Sequence, residues 1–157
     1  MACITARDFR WEHADIKSTS LLGNVMARQM SADRGAVETI MFRNGVLTEA
    51  SASNVWVVHE GAVLGSPKSE HVLEGIRYEL IKELCEECGI AYNLRPIPEG
   101  EVLAADELLL SSATKEILPV TTLDGDPVGH GALRGKPGPV YARLHEAYQR
   151  AKLSQST

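Results

Sequence analysis

The dipeptide Asn44-Gly45, set between apolar-rich runs at 37–43 and 46–49, constrains the fold more than any other feature of this chain. A tight two-residue hairpin of the favoured hand needs positive φ at both central residues, and Asn-Gly meets that need at little steric cost. A second pair of runs follows at once, 54–59 and 62–64, joined by Glu60-Gly61. Asp124-Gly125, between 120–123 and 127–128, marks a third hairpin. Single strands are predicted at 3–6, near 90–94 and at 107–111, the last apolar enough to be buried. Helical spacing appears in four places. Leu21, Leu22, Val25, Met26 and Met30 share one face of a helix that Gly35 stops. Ile76, Leu80, Ile81, Leu84, Cys85 and Cys88 share a face of a second, opened by Gly75 and closed by Gly89. A short acidic helix is predicted at 98–105. After the 135–139 loop, Val140, Leu144, Ala147, Tyr148 and Ala151 line one side of a closing helix, and 154–157 reads as a frayed tail. Strands outnumber helices and sit mostly in hairpins, so the chain reads as α+β, with a largely antiparallel, barrel-like sheet and flanking helices.

A chain of 157 residues suffices for one well-buried domain and is short for two. Its net charge of −5, with scattered Lys and Arg, gives no electrostatic basis for binding nucleic acid or an anionic membrane surface. No uncharged run exceeds ten residues, far short of a membrane span, and the opening residues lack the pattern of a signal peptide. Three cysteines, an odd number, argue against a disulfide framework and fit a reducing cytoplasm. Cys85 and Cys88 have CxxC spacing, but they sit at the C-terminal end of a helix with no second pair. They read as apolar-face residues, and no metal site is expected. The five histidines form no ligand pattern, although His13 lies close to Lys17 in sequence, and Trp11 and Trp56 read as packing residues.

Three short segments could carry chemistry. Lys17 follows Ile16 and precedes small hydroxyl residues and Leu21-Leu22. A lysine is ordinarily a solvated charge, but these flanks predict partial desolvation, the setting in which an amine becomes a nucleophile. The run 48–54 holds small and polar residues with one carboxylate, Glu49, near its head. It reads either as a solvated connection or as a floor for a flat ligand, with Glu49 meeting a basic ring nitrogen. Gly75-Ile76 opens a helix whose free N–H groups could hold an anion, and Ser112-Ala113-Thr114 offers hydroxyls in a compact turn after a buried strand. Each signal alone is common in proteins that bind nothing.

Their order is more specific. The motifs R-W-x-x-x-D-I-K-S-x-x-L-L-G-N (10–24), T-E-x-S-x-S-N-V (48–55), L-x-G-I (73–76), S-x-T-x-E-x-x-P-V (112–120), D-G-x-P-V-G (124–129) and G-K-P-G-P (135–139) run through nearly the whole chain. In this order and spacing they resemble the fold-type IV, or class IV, aminotransferases, and the D-I-K-S form resembles the D-amino-acid transaminases in particular. The resemblance implies pyridoxal 5'-phosphate as cofactor, held by Lys17 as a Schiff base, with that lysine also acting as proton shuttle. It implies that Glu49 pairs with the pyridine nitrogen and that Gly75, Ile76 and Arg77 form one phosphate-binding turn. Ser112, Ala113 and Thr114 match a second such turn, and Ser51, Ala52 and Ser53 the loop beside the ring. Two positions depart from the family pattern. Arg77 stands where a small hydroxyl residue is usual, and its guanidinium is expected to add charge near the phosphate. Ala113 stands where a threonine is usual, leaving Ser112 or Thr114 to supply the hydroxyl.

The resemblance also implies partners: an amino acid, D-alanine-like or branched-chain, a 2-oxo acid, and a second copy of the chain in a homodimer. It matches only the C-terminal, cofactor-carrying half of such enzymes, over 1–153. The N-terminal domain that traps the substrate carboxylate is expected to lie outside this sequence, so the chain alone is expected to be weakly active or inactive. A lyase of the aminodeoxychorismate type shares the lysine and the glutamate and is the nearest alternative; a non-catalytic assembly module on the same fold is the other.

Overall fold

In a computed structural model of the chain, residues 1–155 are described. Ten strands and four helices alternate in the order β1 (Ala2–Arg7), α1 (Leu22–Asp33), β2 (Glu38–Arg43), β3 (Val46–Ala50), β4 (Asn54–His59), β5 (Ala62–Gly65), α2 (Arg77–Cys88), β6 (Tyr92–Leu94), α3 (Glu99–Leu103), β7 (Glu107–Ser112), β8 (Glu116–Val120), β9 (Thr122–Leu123), β10 (Asp126–Pro127) and α4 (Pro139–Gln155). Residues 154 and 155, read from sequence as tail, continue α4; 156 and 157 lie outside the described residues.

The architecture is α+β, and the strands form two five-stranded sheets rather than one closed barrel. The first runs β10-β9-β1-β2-β3 and the second β6-β5-β4-β7-β8. Asn44 and Gly45 adopt φ of +52° and +75°, the turn that the β2–β3 hairpin requires, and Glu60-Gly61 turns β4 into β5 likewise. Closure fails at β3. Its free edge is met by the 97–98 segment, through Leu47 N–H to the Ile97 carbonyl (2.9 Å) and a bridge between Val46 and Pro98, so β4 cannot pair there. Instead Ser51-Ala52-Ser53 carries the chain across, and β4 pairs with β5 and β7 in the second sheet.

The expected strand at 120–123 is two strands in different sheets. β8 ends at Val120 as the edge strand beside β7, and β9 pairs in parallel with β1. Pro119 lies within β8, which an edge tolerates because its missing N–H removes no interior ladder bond.

Two cores result. One lies between the sheets and contains Ile40, Phe42 and Leu47 from the first with Val55, Val57, Leu108 and Leu110 from the second. The other lies between the second sheet and helices α2 and α4, where Trp56, Val58 and Leu109 meet Tyr78, Ile81, Leu84, Cys85 and Leu144. Alternation along β4 and β7 sends successive side chains to the two cores. Trp56 is fully buried and donates Nε1–H to Ser111 Oγ at 2.8 Å, whereas Trp11 stands half exposed, contrary to its reading as a packing residue. Burial also pushes the Cys85 thiol up to about 12, the behaviour of an inert core residue. Helix α1 packs on β2 through Ala27 and Ser31, while its apolar row Leu22, Val25 and Met26 faces outward, between 52% and 73% exposed. No helix among the described residues is long and apolar enough to cross a membrane.

Candidate functional site

The Ser51–Ala52–Ser53 crossing between the sheets floors a cavity of about 590 Å³. Helix α1 forms one wall, the start of α2 a second and the β7–β8 turn a third. The residues that the sequence placed around the cofactor, from Lys17 to Thr114, all line it. Lys17, Glu49 and Ser53 belong to the floor and the rim nearest α1; Gly75, Ile76 and Arg77 to the α2 wall; Ser112, Ala113 and Thr114 to the turn.

Glu49, on β3, is only 6% exposed. One carboxyl oxygen accepts a short hydrogen bond from Arg10 Nη1. The other accepts from Asn54 Nδ2 (3.3 Å) and the Leu73 N–H (3.2 Å). Burial pushes its pKa up to about 7, outweighing the pull of Arg10. Arg10 is a shared partner: its Nε and Nη2 also hold Asp8 at 3.0 and 2.8 Å. Burial works against the Asp8 charge too, but the hydrogen bonds and charge of Arg10 prevail and hold that carboxyl at about 2. A guanidinium already committed to one carboxylate stabilises a second less, so at Glu49 burial prevails.

Lys17 sits on the loop between β1 and α1, docked by the Asp15 N–H on the Glu70 carbonyl (3.3 Å). The predicted desolvation is not met within this chain, since Lys17 is exposed and Ile16 is 53% exposed. Ser53 Oγ is buried without a partner among the described residues, so it retains both its donor and its acceptor capacity. At the α2 wall, Gly75 is a requirement of space, because a Cβ there would run into the Asn54 side-chain oxygen. Asn54 links the wall to the floor by donating Nδ2–H to both Glu49 and the Leu73 carbonyl (3.0 Å).

Arg77 does not point its donors freely into the cavity. Nε and Nη2 donate to the Ser112 and Ala113 carbonyls at 3.1 and 3.2 Å, Nη1 donates to Tyr148 Oη at 3.3 Å, and the guanidinium lies 5.3 Å from the Tyr148 ring centre. It buttresses the β7–β8 turn. Ser112 Oγ accepts from the Lys115 N–H (3.0 Å) and stands 3.5 Å from Thr114 Oγ1, so two hydroxyls flank Ala113. Asp8, Arg10 and Asn54 were not singled out as site residues. Arg10 and Asn54 fall inside the quoted motifs, but nothing local marks a side chain that will be buried by partners far along the chain.

The donor set suits a flat, anionic, aromatic aldehyde such as pyridoxal phosphate. It provides an amine for the carbonyl, a desolvated carboxyl for a basic nitrogen, a spare hydroxyl, and two turns with N–H and hydroxyl donors for a phosphate.

Comparison with known proteins points the same way. The family model described as amino-transferase class IV matches residues 2–123. The D-alanine aminotransferase of Bacillus licheniformis is 38% identical over 156 residues, covering 99% of this chain and 54% of that protein. The D-alanine aminotransferase of Staphylococcus haemolyticus is 35% identical, over 98% of this chain and 53% of that protein. Among solved structures, a branched-chain aminotransferase from the archaeon Thermoproteus uzoniensis, with norvaline, superposes with a TM-score of 0.83 at 28% identity, over 95% of this chain and 50% of that one. The PLP form of the Thermobaculum terrenum branched-chain enzyme shares the fold, with a TM-score of 0.85 at 24% identity, over 96% of this chain and 50% of that one. The chain thus spans about half the length of the relatives it matches, and with the family model covering most of its residues it belongs to the class IV aminotransferases.

Proposed function

We propose that this chain is the cofactor-holding part of a pyridoxal-phosphate-dependent transaminase that moves an amino group from a D-alanine-like amino acid to a 2-oxo acid. One observation carries the reading: the Lys17 amine and the desolvated Glu49 carboxyl line a single cavity with room for a pyridine ring. When bound, the cofactor supplies an electron sink that eases loss of a proton from the substrate α-carbon. Lys17 Nζ is the amine that would hold it at the aldehyde and, once displaced by substrate, move the proton. Glu49 would meet the ring nitrogen; a cation there restores the charge balance that burial disfavours. The N–H groups at the start of α2 and the Ser112 and Thr114 hydroxyls would hold the phosphate, and Ser53 would bond the ring's polar edge. Arg10 and Asn54 keep the Glu49 carboxyl oriented.

The D-alanine reading is supported by the names of the relatives at 38% and 35% identity. A branched-chain substrate is its competitor, supported by the solved relative at 28%. The family resemblance supports a cytoplasmic homodimer. The test is direct: incubate the protein with pyridoxal phosphate, reduce with borohydride and map the modified lysine by mass spectrometry. Label on Lys17 is expected, reduced at least tenfold in Glu49→Ala; label spread over surface lysines defeats the reading. Product formation from D-alanine against L-leucine, each with and without a 2-oxo acid, then assigns the substrate. An acceptor requirement separates transfer from lyase chemistry.

A further inference from the structure

Glu38, the first residue of β2, has a side chain with no exposure, and no quoted motif includes it. An isolated carboxylate so placed would be strongly unfavourable, and four donors offset that. One oxygen accepts from Ser51 Oγ, in a short bond, and from the Ala52 N–H at 2.8 Å. The other accepts from Arg28 Nη1 at 3.0 Å and Lys115 Nζ at 2.8 Å. These donors come from three segments far apart in the chain. Arg28 is on α1, Ser51 and Ala52 form the floor, and Lys115 ends the turn that carries Ser112 and Thr114. Two walls and the floor of the cavity therefore converge on one buried carboxylate. The remaining wall, the start of α2, is tied to the same turn by Arg77.

We propose that Glu38 is a positioning residue that fixes the β7–β8 turn against the Ser51–Ser53 floor, setting the span between the phosphate-holding and ring-holding parts of the cavity. The proposal rests on the pyridoxal-phosphate reading above. Glu38 touches none of the side chains proposed above to hold the cofactor; it acts through Ser51 and Ala52, in the loop beside the ring, and through Lys115. Rigid support of this kind decides whether a site holds its ligand in the productive geometry.

Glu38→Gln separates positioning from simple charge. It leaves Ser51 and Ala52 only a neutral amide oxygen, a weaker acceptor than the carboxylate, and breaks both ion pairs, which frees the Arg28 and Lys115 cations beside the cavity. Charge alone would then tighten phosphate binding, whereas lost positioning weakens it. Two measurements are made on each protein. In the first, amide hydrogen exchange is expected to quicken at both 51–53 and 112–115 in Glu38→Gln, and only at 112–115 in Lys115→Met, with β4 and β7 as protected as in the native protein. In the second, affinities for pyridoxal phosphate and pyridoxal are compared. Their ratio is expected to fall about tenfold in Glu38→Gln, roughly the loss of one charge-assisted contact. General loosening would lower both affinities and leave the ratio alone. A ratio that holds or rises, or exchange that quickens at one segment only in Glu38→Gln, overturns the proposal. Lys115→Met, whose side chain is partly exposed, decides the exchange result should Glu38→Gln not fold. Native protein that binds neither compound overturns the cofactor reading, and exchange then decides the clamp by itself.

Discussion

Glu49 gives the residue scale its sharpest prediction. Its carboxyl titrates near 7 in the fold and near 4.5 when unfolded, so the folded state binds the extra proton between those values. Stability from this group is therefore complete below about pH 4.5 and lost as pH rises through 7, by on the order of 3 kcal/mol. Asp8 acts in a separate window with the opposite sign, adding stability as pH rises from about 2 to 3.8. Glu49→Gln cannot ionise, and Arg10 keeps Asp8 as its counter-ion. In denaturant titrations without cofactor, the native protein should lose stability relative to Glu49→Gln between pH 5 and 7; parallel curves would refute the coupling. Gly75→Ala is expected to cost about 1 to 3 kcal/mol by overpacking against Asn54, and to abolish capture of the cofactor by Lys17, read by thermal unfolding and borohydride labelling. At this scale the sequence was legible where a residue's type names its chemistry, as with the amine of Lys17 and the acid of Glu49. It was silent on Asp8 and Glu38, ordinary acids in strand-like text whose importance comes from partners brought in by the fold.

Elements were legible where local rules act alone. The Asn44-Gly45 and Glu60-Gly61 hairpins and the left-handed Gly89 cap of α2 follow from φ requirements that few residues meet. β8 was hidden because Pro119 demotes a strand in any single-sequence reading, and only its edge position makes it acceptable. Helix α1 showed its period correctly but not the direction of its apolar row, because periodicity identifies a face without saying what covers it. The start of α4 depends on a distant strand. Glu107 of β7 accepts the Val140 and Tyr141 N–H groups at 2.8 and 2.9 Å, and Gly138 leaves the space its carboxyl occupies. Glu107→Ala leaves those two donors without their cap, and the expected loss is about 2 to 3 kcal/mol. Exchange at the first turn of α4 should quicken, whereas Glu107→Gln, with one acceptor kept, should fall between. Equal stability of all three proteins would show that water replaces the cap.

At the scale of the whole molecule, β4 and β7 belong to both cores, which makes the sheets and the helices on them one mechanical unit. The run 107–111 announced a buried strand, yet nothing in it says that one face meets a second sheet and the other two helices. That follows only from the crossings at 51–53 and Thr121, where the chain changes sheets. Leu109 and Leu110, at 1% and 0% exposure, are neighbours in β7 that serve different cores. Truncating either to alanine should cost about 2 to 5 kcal/mol through lost burial and the cavity left behind. If the two cores share a single folding unit, each variant unfolds in one transition by both fluorescence and far-UV circular dichroism, with the native denaturant slope and a lower midpoint. Trp56 reports the helix-side core, since its ring lies 4.8 Å from that of Tyr78. A Leu110→Ala protein in which Trp56 fluorescence outlasts the circular dichroism signal would mean that the helix-side layer stands without the sheet-to-sheet core. The cavity, built from both sheets and both helical layers, would then open before the molecule unfolds.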